Sequence, residues 1–450
     1  MVTETIKEQS AYGAAFREFQ QKSGASLNWI ERLRESAFDR FEQLGFPAVS
    51  EEEWKYTNVA PLAKMNFAPV FERQAVESES ARYEPDAFLY EEARASRLVF
   101  VNGIYSDELS DLDSQTDGLV ALNLADALAD ERYSEIVREH LGRGVDYNEN
   151  GFTALNTAFL SSGAFLLIPR GAQVKTPVQL LFLSDARTQQ AVSFPRVLIV
   201  AEPLSAATVI ESYRSASDAE EAYWTNAVIE VVLAEGARLE HYKVQQESAE
   251  GFHIATTNAL LGRNSNFETT NITLGARLSR HNITVSLAGE GASCRVDGLY
   301  IVGSGQHTDT HSLIDHLEPH CTSRQLYKGI LDGKSRAVFN GKVFVHKDAQ
   351  QTDSEQTNRN LLLSKDARVD TKPQLEIFAD DVKCAHGATV GQLEEEELFY
   401  LISRGLHPEL AQNLLTYGFA EEVIEKIKIE SIKSQLDEAV LNRLHAKLEV

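Results

Sequence analysis

The chain has 450 residues, 43% of them hydrophobic and 24% charged, which is enough for one large or two to three ordinary domains and excludes a disordered chain. Its net charge of −24, from 67 acidic against 43 basic residues, repels nucleic acid and anionic membranes, and no apolar stretch approaches the length of a membrane span. Three cysteines cannot build a disulfide framework, and with no apolar core to the first residues (MVTETIKEQSAYGAAFREFQ) a secretory signal is not expected; the reading is cytoplasmic.

Residues 1–95 read as a helical region. Trp29, Ile30, Leu33, Ala37, Phe38 and Phe41 recur at helical spacing with Glu31, Arg32, Arg34 and Glu35 on the other face, and Gly45-Phe46-Pro47 ends the run. From 96 to 385 the texture changes to short β-rich runs: Leu98–Tyr105, Phe165–Pro169, Val178–Leu183, Val197–Ala201, Ala227–Leu233, Ile283–Leu287 and Val338–Val345, with little helix between them. Small-residue turns separate them (Gly171-Ala172, Gly236-Ala237, Asn264-Ser265, Gly291-Ala292, Lys334-Ser335, Asp348-Ala349, Asp366-Ala367). Their irregular spacing returns to about 27–30 and about 14–18 residues, one coil or half a coil of a solenoid. This predicts a β-helix; a β-sandwich would need more tight turns than Asn102-Gly103, Asp297-Gly298, Asp332-Gly333 and Asn340-Gly341 supply. Residues 386–450 return to helix. Glu394–Glu397 start one that ends at Arg404 and Gly405, and Pro408 opens the next with Leu410, Leu414 and Leu415 on its apolar side. Val423, Ile424, Ile427, Ile432, Leu436, Val440 and Leu444 follow, as part core and part partner surface.

Three stretches carry candidate chemistry. Gly329–Ser335 looks like a phosphate loop but is one residue short between its glycines, and Ala337-Val338-Phe339 behind it reads as strand where a helix is required, so a turn and no nucleotide site are expected. His307, Asp309, His311, Asp315, His316, His320 and Cys321 have the density of a metal site without its usual ligand spacings; polar residues lining the outer face of a coil explain them as well. Cys384 and His386 lie two apart and so share a face if the segment is extended. Both side chains bind iron, and a neighbouring imidazolium would lower the thiol pKa. Two ligands cannot enclose a cluster, so any others must come from elsewhere, such as another chain; a buried cysteine beside a structural histidine is the plainer reading of the pair.

The run Ile377–Leu393, with Lys383-Cys384-Ala385-His386-Gly387-Ala388-Thr389-Val390-Gly391 at its centre, resembles the SufD branch of the SufB/SufD family of the SUF iron–sulfur assembly system. Leu398–Gly405, Tyr327-Lys328-Gly329, Phe339-Asn340-Gly341-Lys342, Gln351-Thr352-Asp353, Asn360–Ser364 and Glu53-Trp54-Lys55-Tyr56-Thr57 extend the resemblance over nearly the whole chain. What it implies is a right-handed parallel β-helix core between helical N- and C-terminal regions, in a non-enzymatic scaffold subunit. Such a subunit pairs with a SufB-type subunit through the β-helix and binds a SufC-type ATPase through its C-terminal helices (386–450), or forms a homodimer when isolated. The cofactor implied is a nascent iron–sulfur cluster, transient and shared with the SufB-type partner at a site where His386 is the expected ligand and Cys384 a second candidate. Nucleotide, nucleic acid and membrane are not expected partners. A polysaccharide-active β-helix enzyme and a metal-dependent hydrolase using the His307–Cys321 cluster are the alternatives, the first lacking a signal segment and the second a ligand pattern.

Overall fold

The computed structural model describes residues 2–22, 27–72, 82–112, 118–187, 190–216 and 221–445. The central part of the chain is a parallel β-helix of about eight turns, with each turn giving one strand to each of two sheets. The first sheet stacks Ala164–Ile168, Arg196–Ala201, Trp224–Leu233, Phe252–Leu261, Leu278–Leu287, His307–His316, Arg336–Val345 and Arg368–Ile377, all parallel. The second stacks Ser96–Val101, Val178–Ser184, Ala206–Ser215, Arg238–Gln246, Asn266–Thr273, Ser293–Val302, Thr322–Leu331, Thr352–Leu362 and Val382–Gly391. The expected run Leu98–Tyr105 is broken by its own Asn102-Gly103 turn into an antiparallel hairpin of Ser96–Val101 with Ile104–Leu112. The last strand continues to Gly391, past the boundary drawn at 385 from the sequence, so Cys384 and His386 belong to one strand of the solenoid.

The coil is set by its corners. Gly171, Leu204, Gly236, Asn264, Gly291, His320 and Gln351 all have positive φ and recur every 27–33 residues. Each donates its backbone N–H to a carbonyl of the next coil, as Gly236 does to Arg263 at 2.8 Å and Asn264 to Glu290 at 3.0 Å. Glycine and asparagine tolerate this conformation, which explains the turn pairs visible in the sequence. The residue after each corner is small and turned inward. Ser205, Ser265 and Thr352 bond the carbonyl three residues back, while Ala237 and Ala292 fill the same place.

Parallel register then places equivalent side chains in rows through the interior. One row reads Leu166, Ile199, Val231, Ala259, Val285, Ile314, Val343, Leu375, and all but the half-buried Leu375 are fully inside the apolar core. Burying each aliphatic chain contributes about 1.5–3 kcal/mol. Two strand glycines make room for rings: a Cβ on Gly298 would meet the Tyr327 ring and one on Gly329 the Tyr300 ring, at 2.2 and 2.0 Å.

The N-terminal helices Val2–Lys22 and Asn28–Leu44 pack Phe16, Phe38 and Phe41 over one end of the first sheet, against Phe159, Phe194 and Trp224. Helices Leu124–Ala129, Ser134–His140 and Gly151–Ala158 interrupt the segment read from the sequence as nearly all strand. The third of these is buried on every side and so has no polar face to produce a helical period; Asn150 caps it by accepting from Phe152 N–H at 2.9 Å.

Not all of the lumen is apolar. His241 Nε2 meets Glu211 Oε2 at 3.2 Å, and His253 lies between Glu247 Oε2 (2.8 Å) and Lys243 Nζ (2.8 Å). The ammonium donates to Nε2, so Nδ1 of His253 carries the ring hydrogen. Burial and then the carboxylates' opposing pull leave Lys243 lowered to about 8, and burial lowers His253 and His281. His316 interrupts the aliphatic row Leu261, Leu287, Val345, and burial takes it from 6.5 down to about 4.

His253, His281 and His316 are neutral in the fold and protonate freely once unfolded, so the stability they carry is present above about pH 6.5 and is lost as pH falls towards 4. For His316 alone, whose pKa falls from 6.5 to about 4, the loss over that window is on the order of 3 kcal/mol. Denaturant titrations at a series of pH values should show it, and His316→Leu should flatten the slope; equal stability at pH 7 and pH 5 would contradict the assignment.

Candidate functional site

Cys384 and His386 stand on Val382–Gly391, the terminal strand of the second sheet. Its partner strand Thr352–Leu362 alternates buried and exposed residues, with Thr352, Ser354, Gln356, Asn358 and Asn360 turned into the lumen. Register carries that face onto Val382, Cys384, His386, Ala388 and Val390. Both candidate residues therefore share the lumenal face, as the spacing predicts. Among the described residues nothing pairs with the outer edge of this strand or of Arg368–Ile377, the terminal strand of the first sheet. The solenoid ends open, with two unpaired backbone edges around a mouth containing Val369, Thr371, Leu375, Cys384 and His386. Phe378, 60% exposed, and Val390 lie at its margin.

The two side chains differ. Cys384 is half-buried against the apolar core, in a row with Cys294, Ser323 and Ser354. Burial raises its thiol pKa, a backbone bond from Ser354 partly offsets that, and Asp353 adds to the rise. The expectation that the neighbouring imidazole lowers it is therefore corrected: the shift is upward, with desolvation by the core as its largest cause. His386 is exposed. No group of three or more histidine, cysteine or acidic side chains suited to a metal ion occurs among the described residues, so the mouth offers at most half of a cluster's ligands.

The His307–Cys321 stretch is scattered by the fold. His307, Asp309 and His311 do share the outward face of their strand, but they hold the Glu53–Thr57 block to the solenoid. Arg280 pairs with Asp309 at 2.8 Å, both almost fully buried, and its guanidinium lies 3.7 Å from the Trp54 ring centroid. Thr57 donates to Asp309 at 2.5 Å, and His311 bridges Asp309 and Glu53 at 3.1 Å each. Burial opposes the charge on Asp309, yet Arg280 and His311 hold its carboxyl below the usual range. For His311, burial is likewise overcome, by Asp309 and Glu53, and its pKa is raised. His316 faces the lumen, His320 is an exposed left-handed corner, and Cys321 takes the small inward place beside that corner. Gly329–Ser335 is a strand end followed by a turn at Gly333, φ 58°.

Among the C-terminal residues the apolar stripe divides. Val423, Ile424, Ile427, Ile432, Leu436 and Val440 are buried against Tyr242, Val244, Ile272 and Leu299 on the outer face of the second sheet. Helix Glu395–Ser403 and the start of Pro408–Ile424 instead expose Phe399 (73%), Tyr400 (57%), Ile402, Leu410 and Leu414. Lys328 anchors the second helix through the Phe419 carbonyl at 2.8 Å and the Glu422 carboxylate. The open edges and the role of Arg280 were not read from the sequence; the Trp54 block was the one visible trace of the clasp.

Comparison with known proteins adds the following. Residues 182–419 match the family model described as "SUF system FeS cluster assembly, SufBD core domain", and residues 6–180 match "SufBD protein N-terminal region". The chain is 37% identical over 432 residues to an iron–sulfur cluster assembly SufBD family protein of Synechocystis, covering 95% of this chain and 94% of that one. It is 34% identical to the iron–sulfur cluster assembly protein SufD of Escherichia coli, covering 89% and 90%. It is 31% identical to the chloroplastic protein ABCI7 of Arabidopsis thaliana, covering 90% and 84%.

If the Asp309 group is a clasp, Asp309→Ala leaves Arg280 buried and unpaired and should cost about 3–5 kcal/mol in chemical denaturation, with no change in metal content of the purified chain. Bound zinc lost together with His307 or His311, at unchanged stability, would restore the metal reading.

Proposed function

The chain belongs to the SufBD family of iron–sulfur cluster assembly proteins, and from that premise we propose that it is a non-enzymatic, cytoplasmic scaffold subunit. It presents half of a cluster-building site to a SufB-type partner. The observation that carries the reading is the open end of the solenoid: the lumenal face of its last strand sets His386 beside Cys384 on an unpaired edge. Unpaired strand edges are templates for another chain's strands. A partner coil stacked there would continue both sheets, cover Phe378 and Val390, and bring the missing ligands opposite His386. A second copy of this chain would close the same edge in isolation, but it would face His386 with the same incomplete set.

His386 is the better ligand, since the exposed imidazole needs no desolvated thiolate. Cys384 would first have to lose a proton that its apolar surroundings favour. The nascent cluster is cargo held between subunits, and its iron and sulfide arrive from elsewhere.

The exposed side chains of Phe399, Tyr400, Leu410 and Leu414 support a second contact, with a SufC-type ATPase that would supply nucleotide hydrolysis. Exposed large apolar side chains on neighbouring helices are the kind of surface that interaction sites use. Deleting everything after Gly405 is a poor test of this contact, because the deleted helices cover Tyr242, Val244 and Leu299.

Three outcomes follow on co-expression with the two family partners. Phe378→Asp with Val390→Lys should lose the SufB-type subunit while the chain's own denaturation midpoint stays the same. Phe399→Ala with Leu410→Ala should lose the ATPase and keep the SufB-type subunit. In the anaerobically purified complex His386→Ala should abolish cluster content and Cys384→Ala reduce it at most modestly; full content in both variants would sink the site.

A further inference from the structure

His386 does not stand alone on its face. Register places it at the end of one lumenal row: Val178, Val209, His241, Thr269, Val296, Gln325, Gln356, His386. The last members before it form a hydrogen-bond chain. Gln325 Nε2 donates to Ser312 Oγ at 2.9 Å, and Gln356 Nε2 donates to Gln325 Oε1 at 2.7 Å. The chain then stops at Gln356, which is 1% exposed and whose Oε1 is buried with no hydrogen-bond partner.

An orphaned buried acceptor costs about 1–3 kcal/mol, and the surroundings are built around this amide. A Cβ on Gly341 would sit 2.5 Å from Gln356 Nε2 and 2.8 Å from the Phe339 ring. Gly341 thus admits the amide across the lumen at a position with no positive φ to explain a glycine. The oxygen and nitrogen of an amide diverge from one carbon, so with the nitrogen bound to the preceding coil the oxygen is directed away from that bond, and the residue in register on the following coil is His386. Among the described residues the imidazole makes no hydrogen bond, and neighbouring strands lie about 4.8 Å apart, a spacing that two side chains of one row can bridge with an N–H···O bond.

We propose that Gln356 is the positioning residue of His386: its Oε1 accepts the ring N–H, fixes the tautomer, and leaves the other ring nitrogen's lone pair directed out of the mouth. The inference rests on the reading of His386 as a ligand. Metal-bound histidines commonly give their second ring N–H to a carbonyl or carboxylate, which orients the ring and raises its basicity. Here that acceptor is delivered through the solenoid, and Ser312 and Gln325 hold it in turn. The motif Phe339-Asn340-Gly341 is thereby tied to a site on the opposite sheet.

The test uses the full chain labelled with 15N-histidine, alone and in the complex with its family partners, with the His386 ring signals assigned by their loss in His386→Ala. Wild type should show one tautomer, with the two ring nitrogens widely separated in shift. Gln356→Leu should collapse them towards the averaged values of a free imidazole, and Gln356→Glu, which keeps an acceptor, should restore the separation. In the complex, Gln356→Leu should lower retained iron and sulfide by roughly ten-fold, the lower end of what second-layer partners of a metal ligand cost, and Gln356→Glu should recover most of it. Gly341→Ala, which pushes the amide aside without removing it, should reproduce the leucine result should that variant fold poorly. Identical ring signals in wild type and Gln356→Leu would overturn the positioning role. Undiminished cluster content in Gln356→Leu, when His386→Ala abolishes it, would overturn the role while the ligand reading stands. Full content in His386→Ala would overturn both.

Discussion

Everything in this molecule depends on parallel strand register. Once a corner fixes where a coil turns, each side chain is set beside its equivalent in the coils before and after, about 4.8 Å away. The rows are therefore the units of stability. The row from Leu166 to Leu375 is aliphatic because every member between its ends has aliphatic neighbours on both sides. A polar residue in such a row needs a partner in its own row or across the lumen: His241 finds Glu211, His253 finds Glu247, and Lys243 donates to His253. Where a ring is too large for its place, the neighbouring coil gives up a side chain in the same row, as Gly298 does for Tyr327.

A solenoid built this way has no natural end. At one end the second sheet is closed by the hairpin Ser96–Leu112 and the first by the antiparallel strand Val120–Asn123. At the other the last coil is left uncovered, and the residues there have only one neighbour in their row. Such a neighbour deficit is what a functional surface needs. Val390 is exposed at the same place in its row where Asn360 is buried, and His386 where Gln356 is buried. The site is thus the place where a structural rule stops being satisfied from within the chain, and a partner's coil would satisfy it.

The elements outside the solenoid are tied to it by charge as much as by apolar contact. Arg280 and Asp309 hold the Trp54 block, and Lys328, Asp297 and Lys426 hold the C-terminal helices, with Lys426 3.1 Å from Asp297. The buried pair Arg280–Asp309 contributes little net stability but penalises any other arrangement strongly, and Lys328 and Asp297, each buried with a partly exposed partner on the helices, act in the same sense. They fix which face of the second sheet the helices Pro408–Ile424 and Glu430–His445 cover, and so which part of the apolar stripe remains available to a partner.

Much of the fold was legible from local chemistry. The strands at Val178, Val197, Ala227 and Val338, the glycine and asparagine corners, and the helix from Glu395 to Gly405 follow from period, turn residues and capping, all of which act within a few residues. The helix Gly151–Ala158 was not legible because burial on all sides erased its period, and Leu98–Tyr105 hid a turn inside an apolar run. For the site, the spacing of Cys384 and His386 determined that they share a face, since alternation is a property of any extended chain. Which face that is, that it opens at the end of the lumen, that burial keeps the thiol protonated, and that Gln356 lies beside His386 with an unused acceptor were decided by register with a strand some thirty residues away. The dense His307–Cys321 stretch makes the converse point: adjacency in sequence suggested one site, and the coil sent its members to the outer face, the lumen and a corner. Sequence determines what each residue can bond to, and the solenoid decides which residues meet, because contacts between coils are set by the number of residues per turn and not by their nearness along the chain.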